Sequence, residues 1–254
     1  MHNEATLSDS EFLRYSRQLL LEDIGPAGQE RLKRASVLIV GLGGLGSPAA
    51  LYLAAAGVGT LLLADDDQLH LTNLQRQILY RSADIPQAKA RLAQRQLQAL
   101  NPLVESIAIE QRLQGDALAR AVARADLILD CCDNMATRHA VNAACVAAGK
   151  PLISGSAVGF SGQLLVLEPP YPHGCYACLY PEQTEPQRNC RTAGVLGPVV
   201  GVIGTLQALE AIKMLVGIPC TQSGKLRLFD GRQQSWSTLQ LSKAGNCPVC
   251  GGAV

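Results

Sequence analysis

Four groups of residues in this 254-residue chain combine residue types and spacings that can do chemistry. The first is the run Gly41-Leu42-Gly43-Gly44-Leu45-Gly46. Glycines permit a tight turn and close approach of the backbone to a phosphate. A helix opening there adds free N–H donors and the positive end of its dipole. Asp65 follows about twenty residues on, where an acid accepts hydrogen bonds from ribose hydroxyls. Gly41, Gly43, Gly44, Gly46 and Asp65 are therefore the first candidate nucleotide-binding residues, and the competing reading of the loop alone is a packing turn.

The second group is cationic. Arg76 lies in Asn73-Leu74-Gln75-Arg76-Gln77, and Lys89 follows. Together they can neutralise a triphosphate tail and the charge that develops as pyrophosphate departs. Taken singly, each also fits a solvated basic residue. The chain has no Gly-x-x-x-x-Gly-Lys-Ser/Thr run, so a P-loop enzyme cleaving a γ-phosphate is excluded. The third group, Cys131-Cys132-Asp133-Asn134, offers Asp133 as a carboxylate for Mg²⁺ on those phosphates. Spacing alone fits an Asx-turn or helix cap at Asp133-Asn134 equally well.

The fourth group is Cys175-x-x-Cys178 and Cys247-x-x-Cys250, separated by 68 residues. Two matched knuckles supply the four thiolates that a closed, tetrahedral zinc site prefers, and His173 is surplus to that set. The alternative is a redox dithiol. Cys190 stands outside the knuckles, and neighbouring Arg188 and Arg191 favour its thiolate. A reactive thiol and a spare exposed one both fit. Cys131, Cys132, Cys145 and Cys220 read as core or incidental thiols.

These groups need elements to position them. Residues 8–34 read as an amphipathic helical arm, with Ser8 and Asp9 as N-cap candidates and a break at Gly25-Pro26. Ser36–Val40 is an apolar strand of the kind buried on both faces of a parallel sheet. A helix over about 47–56 and a strand over 60–64 complete a βαβ unit around the glycine loop. Helical spacing over 85–100, strands at 104–109 and 126–130, a helix at 137–148 and a strand at 151–154 continue the alternation. That pattern predicts a doubly wound, Rossmann-like parallel sheet. After Gly155 the texture changes. Strands at 163–167 and 225–229 lack crossover helices and read as antiparallel, separated by a polar loop over about 169–194 and a long apolar helix over about 198–216. The expectation is one domain, 1–254, made of a helical arm (1–34), a nucleotide-binding half (35–155) and a zinc-binding half (156–254) sharing one sheet.

Composition narrows the class further. Lys plus Arg total 22 against 21 Asp plus Glu, for a net charge of +1, which argues against nucleic acid or an acidic membrane as partner. Residues 35–64 and 192–209 carry no charge, but glycines together with Pro48 and Pro198 punctuate them as strand, turn and core helix rather than lipid-spanning helices. The first residues lack the order of a signal peptide, so the nine cysteines point to a reducing, cytoplasmic setting.

Taken together, Arg14-Tyr15-Ser16-Arg17-Gln18, the loop 41–46, Asn73 to Gln77, Cys131 to Asn134 and the two knuckles resemble the ThiF/MoeB/HesA family of carrier-protein adenylyltransferases. These are relatives of the ubiquitin-activating enzymes, and the resemblance covers about 11–251. It implies that ATP adenylates the C-terminal glycine carboxylate of a ubiquitin-like sulfur carrier ending in Gly-Gly, releasing pyrophosphate. Residues 189–195, 197–201 and 205–210 are similar to the branch that activates ThiS for thiamine thiazole synthesis. Activation of a molybdopterin-synthase subunit is the near alternative, and an NAD-dependent oxidoreductase or a non-catalytic zinc-tied scaffold the more distant ones. The resemblance implies nucleotide binding by Gly44, Asp65, Asn73 and Asn134, and phosphate binding by Arg76 and Lys89. It gives Asp133 to Mg²⁺ and the reacting carboxylate. Arg17 would reach the partner's site in a homodimer, and Cys190 would link covalently to the activated carrier. A cysteine desulfurase or rhodanese would donate sulfur. Two departures from the family pattern are Ala88, where proline usually precedes the lysine, and Cys132, where threonine usually precedes the aspartate.

Overall fold

In the computed structural model, residues 6–181 and 190–251 are described, with only the backbone of Cys190 and Arg191. The helical arm is three pieces, α1 (Asp9–Arg14), α2 (Ser16–Leu19) and α3 (Gly25–Arg34). Ser8 caps α1 in a reciprocal box: the Glu11 N–H donates to Ser8 Oγ at 3.3 Å and the Ser8 N–H to Glu11 Oε2 at 2.8 Å. Gly25-Pro26 opens α3 instead of breaking the arm. Proline fits the first turn of a helix, whose N–H groups have no partner there, so the break falls just before it.

The sheet has eight strands in the order β3-β2-β1-β4-β5-β6-β7-β8. Five of them, β1 (Ser36–Val40), β2 (Thr60–Ala64), β3 (Glu105–Ile109), β4 (Leu127–Asp130) and β5 (Leu152–Val158), run parallel. The antiparallel extension is β6 (Ser161–Leu167), β7 (Lys225–Asp230) and β8 (Ser235–Gln240). The expected mixed Rossmann-like sheet is therefore present, with both halves on it. Central β1 is apolar and buried from Val37 to Val40 because both faces are covered there. Ile39 faces one core with Leu63 and Leu129, while Leu38 faces the other with Leu62 and Ile128.

On the first face lie α4 (Gly46–Ala56), α5 (Lys89–Leu100) and α10 (Gly197–Val216). Among the described residues α10 alone is long and apolar enough to cross a membrane, but half of it is buried against the sheet and α4. Gly204 makes that close packing possible, since a Cβ there would meet the Leu45 carbonyl oxygen at 2.2 Å. The second face carries α6 (Gly115–Arg124), α7 (Met135–Ala148) and the short α8 (Tyr176–Leu179).

Four details differ from the sequence reading. α5 begins only at Lys89, because Ala88 is extended and pairs with Gln68 in an antiparallel bridge. α6 went unread, although Leu118, Ala121 and Val122 form its buried stripe. β8 also went unread: it is an edge strand with five of six residues exposed and has no apolar face to betray it. Finally, the loop after β6 contains α8 and the turn of helix α9 (Cys190–Ala193).

Candidate active site and metal centre

The carboxyl ends of β1, β2, β4 and β5 open into a cleft of about 930 Å³. Gly41, Gly43 and Gly44 form one wall, with Asp65, Asn73, Arg76, Lys89, Asp133 and Asn134 around it. The order of strands reverses between β1 and β4, which is where open α/β folds bind ligands. Gly41 has φ +92° and lies so close to the next strand that a Cβ would meet the Cys131 carbonyl oxygen at 2.6 Å. Gly46 sits behind the wall; a Cβ there would run into the Gly41 carbonyl oxygen at 2.0 Å. It shapes the loop and does not line the cleft.

Asp65 latches that loop. Its Oδ2 accepts the Leu42 N–H at 2.7 Å and its Oδ1 accepts the Asp67 N–H at 2.9 Å. Burial pushes its carboxyl above the ordinary range, opposed by the Lys89 charge and these two N–H donors. Asp65, Asp66 and Asp67 bring carboxylate oxygens within 4.8 Å of one another, but they are a hydrogen-bonded turn with Lys89 already seated on Asp67 at 3.0 Å. Lys89 itself is almost fully buried and Asp67 largely exposed. The ammonium is thus held beside the cleft by a partner that water already weakens.

Asp133 is exposed at the cleft, and Asn134 does what its competing reading predicted. Its Oδ1 accepts the Thr137 N–H at 2.9 Å and caps α7. Arg138, one turn further, was missed. It is buried and holds the end of the sheet together: it donates to Asp130 Oδ2 at 2.8 Å, to Ser154 Oγ at 3.0 Å, to the Gly155 carbonyl at 2.8 Å and to the Cys132 carbonyl. A single arginine inside a helical pattern carries no sequence signal that it points into the core. Gln207 of α10, also missed, donates to the Asp130 and Ile153 carbonyls at 2.9 and 3.0 Å from the opposite face. Arg17 is exposed on α2 and does not line the cleft of its own chain. The Cys190 side chain, and all of Arg188, fall outside the described residues.

The far wall of the cleft comes from the C-terminal half. Tyr176 and Tyr180 face it with their rings 5.0 Å apart, and the Tyr180 hydroxyl donates to Gln163 Oε1 at 2.9 Å. Reading 175–178 as a knuckle had hidden the tyrosine within it.

Behind this wall the four knuckle cysteines converge. Their sulfurs lie within 4.8 Å of one another, Cys175 and Cys247 at 3.8 Å and Cys178 and Cys250 at 3.5 Å. Thiolates about 2.3 Å from a tetrahedral zinc would stand about 3.8 Å apart, so the set fits that ion. Burial opposes the Cys247 thiolate, but hydrogen bonds from the Cys250 and Val249 N–H groups together with the Cys178 and Cys250 thiols bring its pKa down to about 7. Burial and neighbouring sulfurs raise Cys250, and a cation among the four would favour its thiolate. Cys131, Cys132 and Cys145 are core thiols, as expected, while Cys220 is partly exposed.

The fold and the cleft define a doubly wound nucleotide-binding enzyme with a four-thiolate metal centre. The model of the ThiF family matches residues 15–249, and the chain belongs to that family. It is 62% identical over 247 residues to the sulfur carrier protein ThiS adenylyltransferase of Escherichia coli strain K12, covering 97% of this chain and 98% of that protein. The molybdopterin-synthase adenylyltransferase of the same organism is 45% identical, covering 97% and 99%. A crystal structure of E. coli MccB with ATP superposes with a TM-score of 0.80 at 24% identity, over 99% of this chain and 77% of that one, which is a likeness of fold. Family membership removes the NAD-dependent oxidoreductase alternative.

Proposed function

We propose that the chain uses ATP to adenylate the C-terminal glycine carboxylate of a small ubiquitin-like sulfur carrier of the ThiS type. The observation that carries this is one cleft lined both by the glycine loop with Arg76, Lys89 and Asp133 and by Tyr176, Tyr180 and Gln163 of the C-terminal half. One end suits a nucleotide and the other an extended peptide tail. A carboxylate oxygen of the tail attacks the α-phosphorus, the bond to the bridging oxygen breaks, and pyrophosphate leaves with that electron pair. Arg76 and Lys89 offset its charge, Lys89 exchanging Asp67 for phosphate oxygens. The acyl-adenylate that remains is activated for sulfur. Asp133, exposed at the cleft, would hold a hydrated Mg²⁺ on the phosphates, and Asn73 and Asn134 line the same cleft.

The structural ion of the four cysteines would be zinc. Arg17 serves the partner's cleft in a symmetric homodimer, supported by Phe12, Leu13, Leu20 and Leu21, which expose apolar surface on the same arm. Cys190 takes the carrier covalently, and a cysteine desulfurase or rhodanese supplies sulfur. Eight free cysteines among the described residues suit a reducing cytoplasm. Exchange of labelled pyrophosphate into ATP tests the reading. Exchange should require a ThiS-type carrier, exceed that with a molybdopterin-synthase subunit, and vanish in Asp133→Ala. Carrier-independent behaviour, or normal exchange by a folded Asp133→Ala protein, would overturn it.

A further inference from the structure

The metal centre and the tail end of the cleft share one short element. Cys175 caps α8, Cys178 lies on it, and Tyr176 and Tyr180 project from it and its end into the cleft. Four residues of helix cannot hold themselves together, because one turn does not repay its own nucleation. Something else must fix the tyrosines. Asn142 of α7, with no exposed surface, touches both functions at once. Its Nδ2 donates to Cys175 Sγ at 3.4 Å and its Oδ1 accepts the Tyr176 N–H at 2.9 Å.

The Tyr176 side chain continues outward from there. Its ring meets His139 of α7 edge-on at 5.4 Å, and its hydroxyl donates to Met135 Sδ at 3.5 Å. Met135 is two residues from Asp133. A continuous path of contacts thus runs from a metal-binding sulfur, through one carboxamide, to the wall that faces the reacting carboxylate.

We propose that Asn142 is a positioning residue that couples the four-thiolate centre to the seat of the carrier's tail. Donation to Cys175 Sγ steadies a metal-binding thiolate, and acceptance from Tyr176 sets the register of α8 against α7. With the metal bound, α8 is pinned at Cys175, Cys178 and Asn142, and the Tyr176–Tyr180 ring pair is held in place as one wall of the cleft. When the metal or Asn142 is lost, α8 slackens and the tail end loosens, while the glycine loop is untouched. The coupling rests on the adenylation reading, since the tail seat belongs to that reaction.

Purified zinc-loaded parent, Asn142→Ala and Asn142→Asp proteins decide it by two readouts. Zinc release to a chromogenic chelator should be faster in both variants, by about tenfold or more, the usual effect of removing a metal ligand's supporting partner. In pyrophosphate exchange, the KM for carrier should rise by a similar factor with the KM for ATP unchanged. Asn142→Asp keeps the acceptor for Tyr176 while setting an anion against the sulfur, so it serves should the alanine variant fail to fold. Faster zinc loss with an unaltered carrier KM overturns the coupling, as does an equal rise in both KM values. A parent protein with no carrier-dependent exchange is a different failure, that of the adenylation reading itself.

Discussion

Replacing Arg138 by methionine should be among the most damaging single changes in this chain. Methionine keeps most of the volume and removes only the guanidinium. The loss leaves the Asp130 carboxylate, itself 1% exposed, without its 2.8 Å partner and strips donors from the Cys132 and Gly155 carbonyls. Deleting one member of a buried ion pair costs about 3–5 kcal/mol, because the surviving charge stays desolvated. Set against a typical domain stability of about 5–15 kcal/mol, that is a large share of the total. Urea unfolding of zinc-loaded Arg138→Met should therefore show a midpoint far below the parent's. The ion-pair account adds a sharper expectation. In the double variant Asp130→Asn, Arg138→Met no charge is left stranded, so its loss should fall short of the sum of the two single losses by about 1–3 kcal/mol. Additive losses, or a loss under about 1 kcal/mol in Arg138→Met alone, would refute the reasoning.

Two further outcomes follow from other parts of the molecule. Burial pushes the Glu11 carboxyl up, but the Ser8 N–H, Lys33 at 2.9 Å and the Ser8 hydroxyl outweigh it and hold it below its ordinary value of 4.5. A depressed carboxylate stabilises the fold above its unfolded value and loses that contribution as pH falls through the folded one. The stability gap between parent and Glu11→Gln should therefore shrink below pH 4.5; a gap independent of pH in unfolding titrations would show that the charge is idle. Cys190→Ala should exchange pyrophosphate at the parent's rate but form no covalent adduct with the carrier, and an adduct of unchanged yield by mass spectrometry would return this cysteine to a spare thiol.

What could be read from the sequence divides along physical lines. β1 and the glycine loop were legible because each obeys a local rule: a strand covered on both faces carries a continuous apolar run, here Val37 to Val40, and the φ of +92° at Gly41 favours glycine. The knuckles were legible because sulfur chemistry fixes their spacing, and the 68 intervening residues did not obscure it. Arg138, Gln207 and Asn142 were not legible. Each is polar in a helix and reads as a solvent-facing residue, yet each bonds to atoms on another strand or loop. Their role depends on which face of the helix meets the sheet, and that is decided by packing rather than by neighbours in sequence. Tyr176 fell in the same gap, one residue after a cysteine whose own pattern claimed the segment.

The change from parallel to antiparallel pairing also explains how one cleft gains two kinds of wall. Parallel strands β1, β2, β4 and β5 all end on the same edge, so their loops can supply glycines, acids and cations to a nucleotide but cannot extend far over it. A hairpin turns β6 back on β5, pairing Ser156 with Gln163 and Val158 with Ser161, which lifts sheet beyond that edge. The chain then continues into the knuckle after Leu167, bringing Tyr176 and Tyr180 to face the glycine loop. A sixth parallel strand would have needed a crossover helix on a face of the sheet and would have approached from the opposite edge, so it could not have continued the β5 hairpin beyond this one. The reversal at 159–160 is thus as much a part of the site as Asp133.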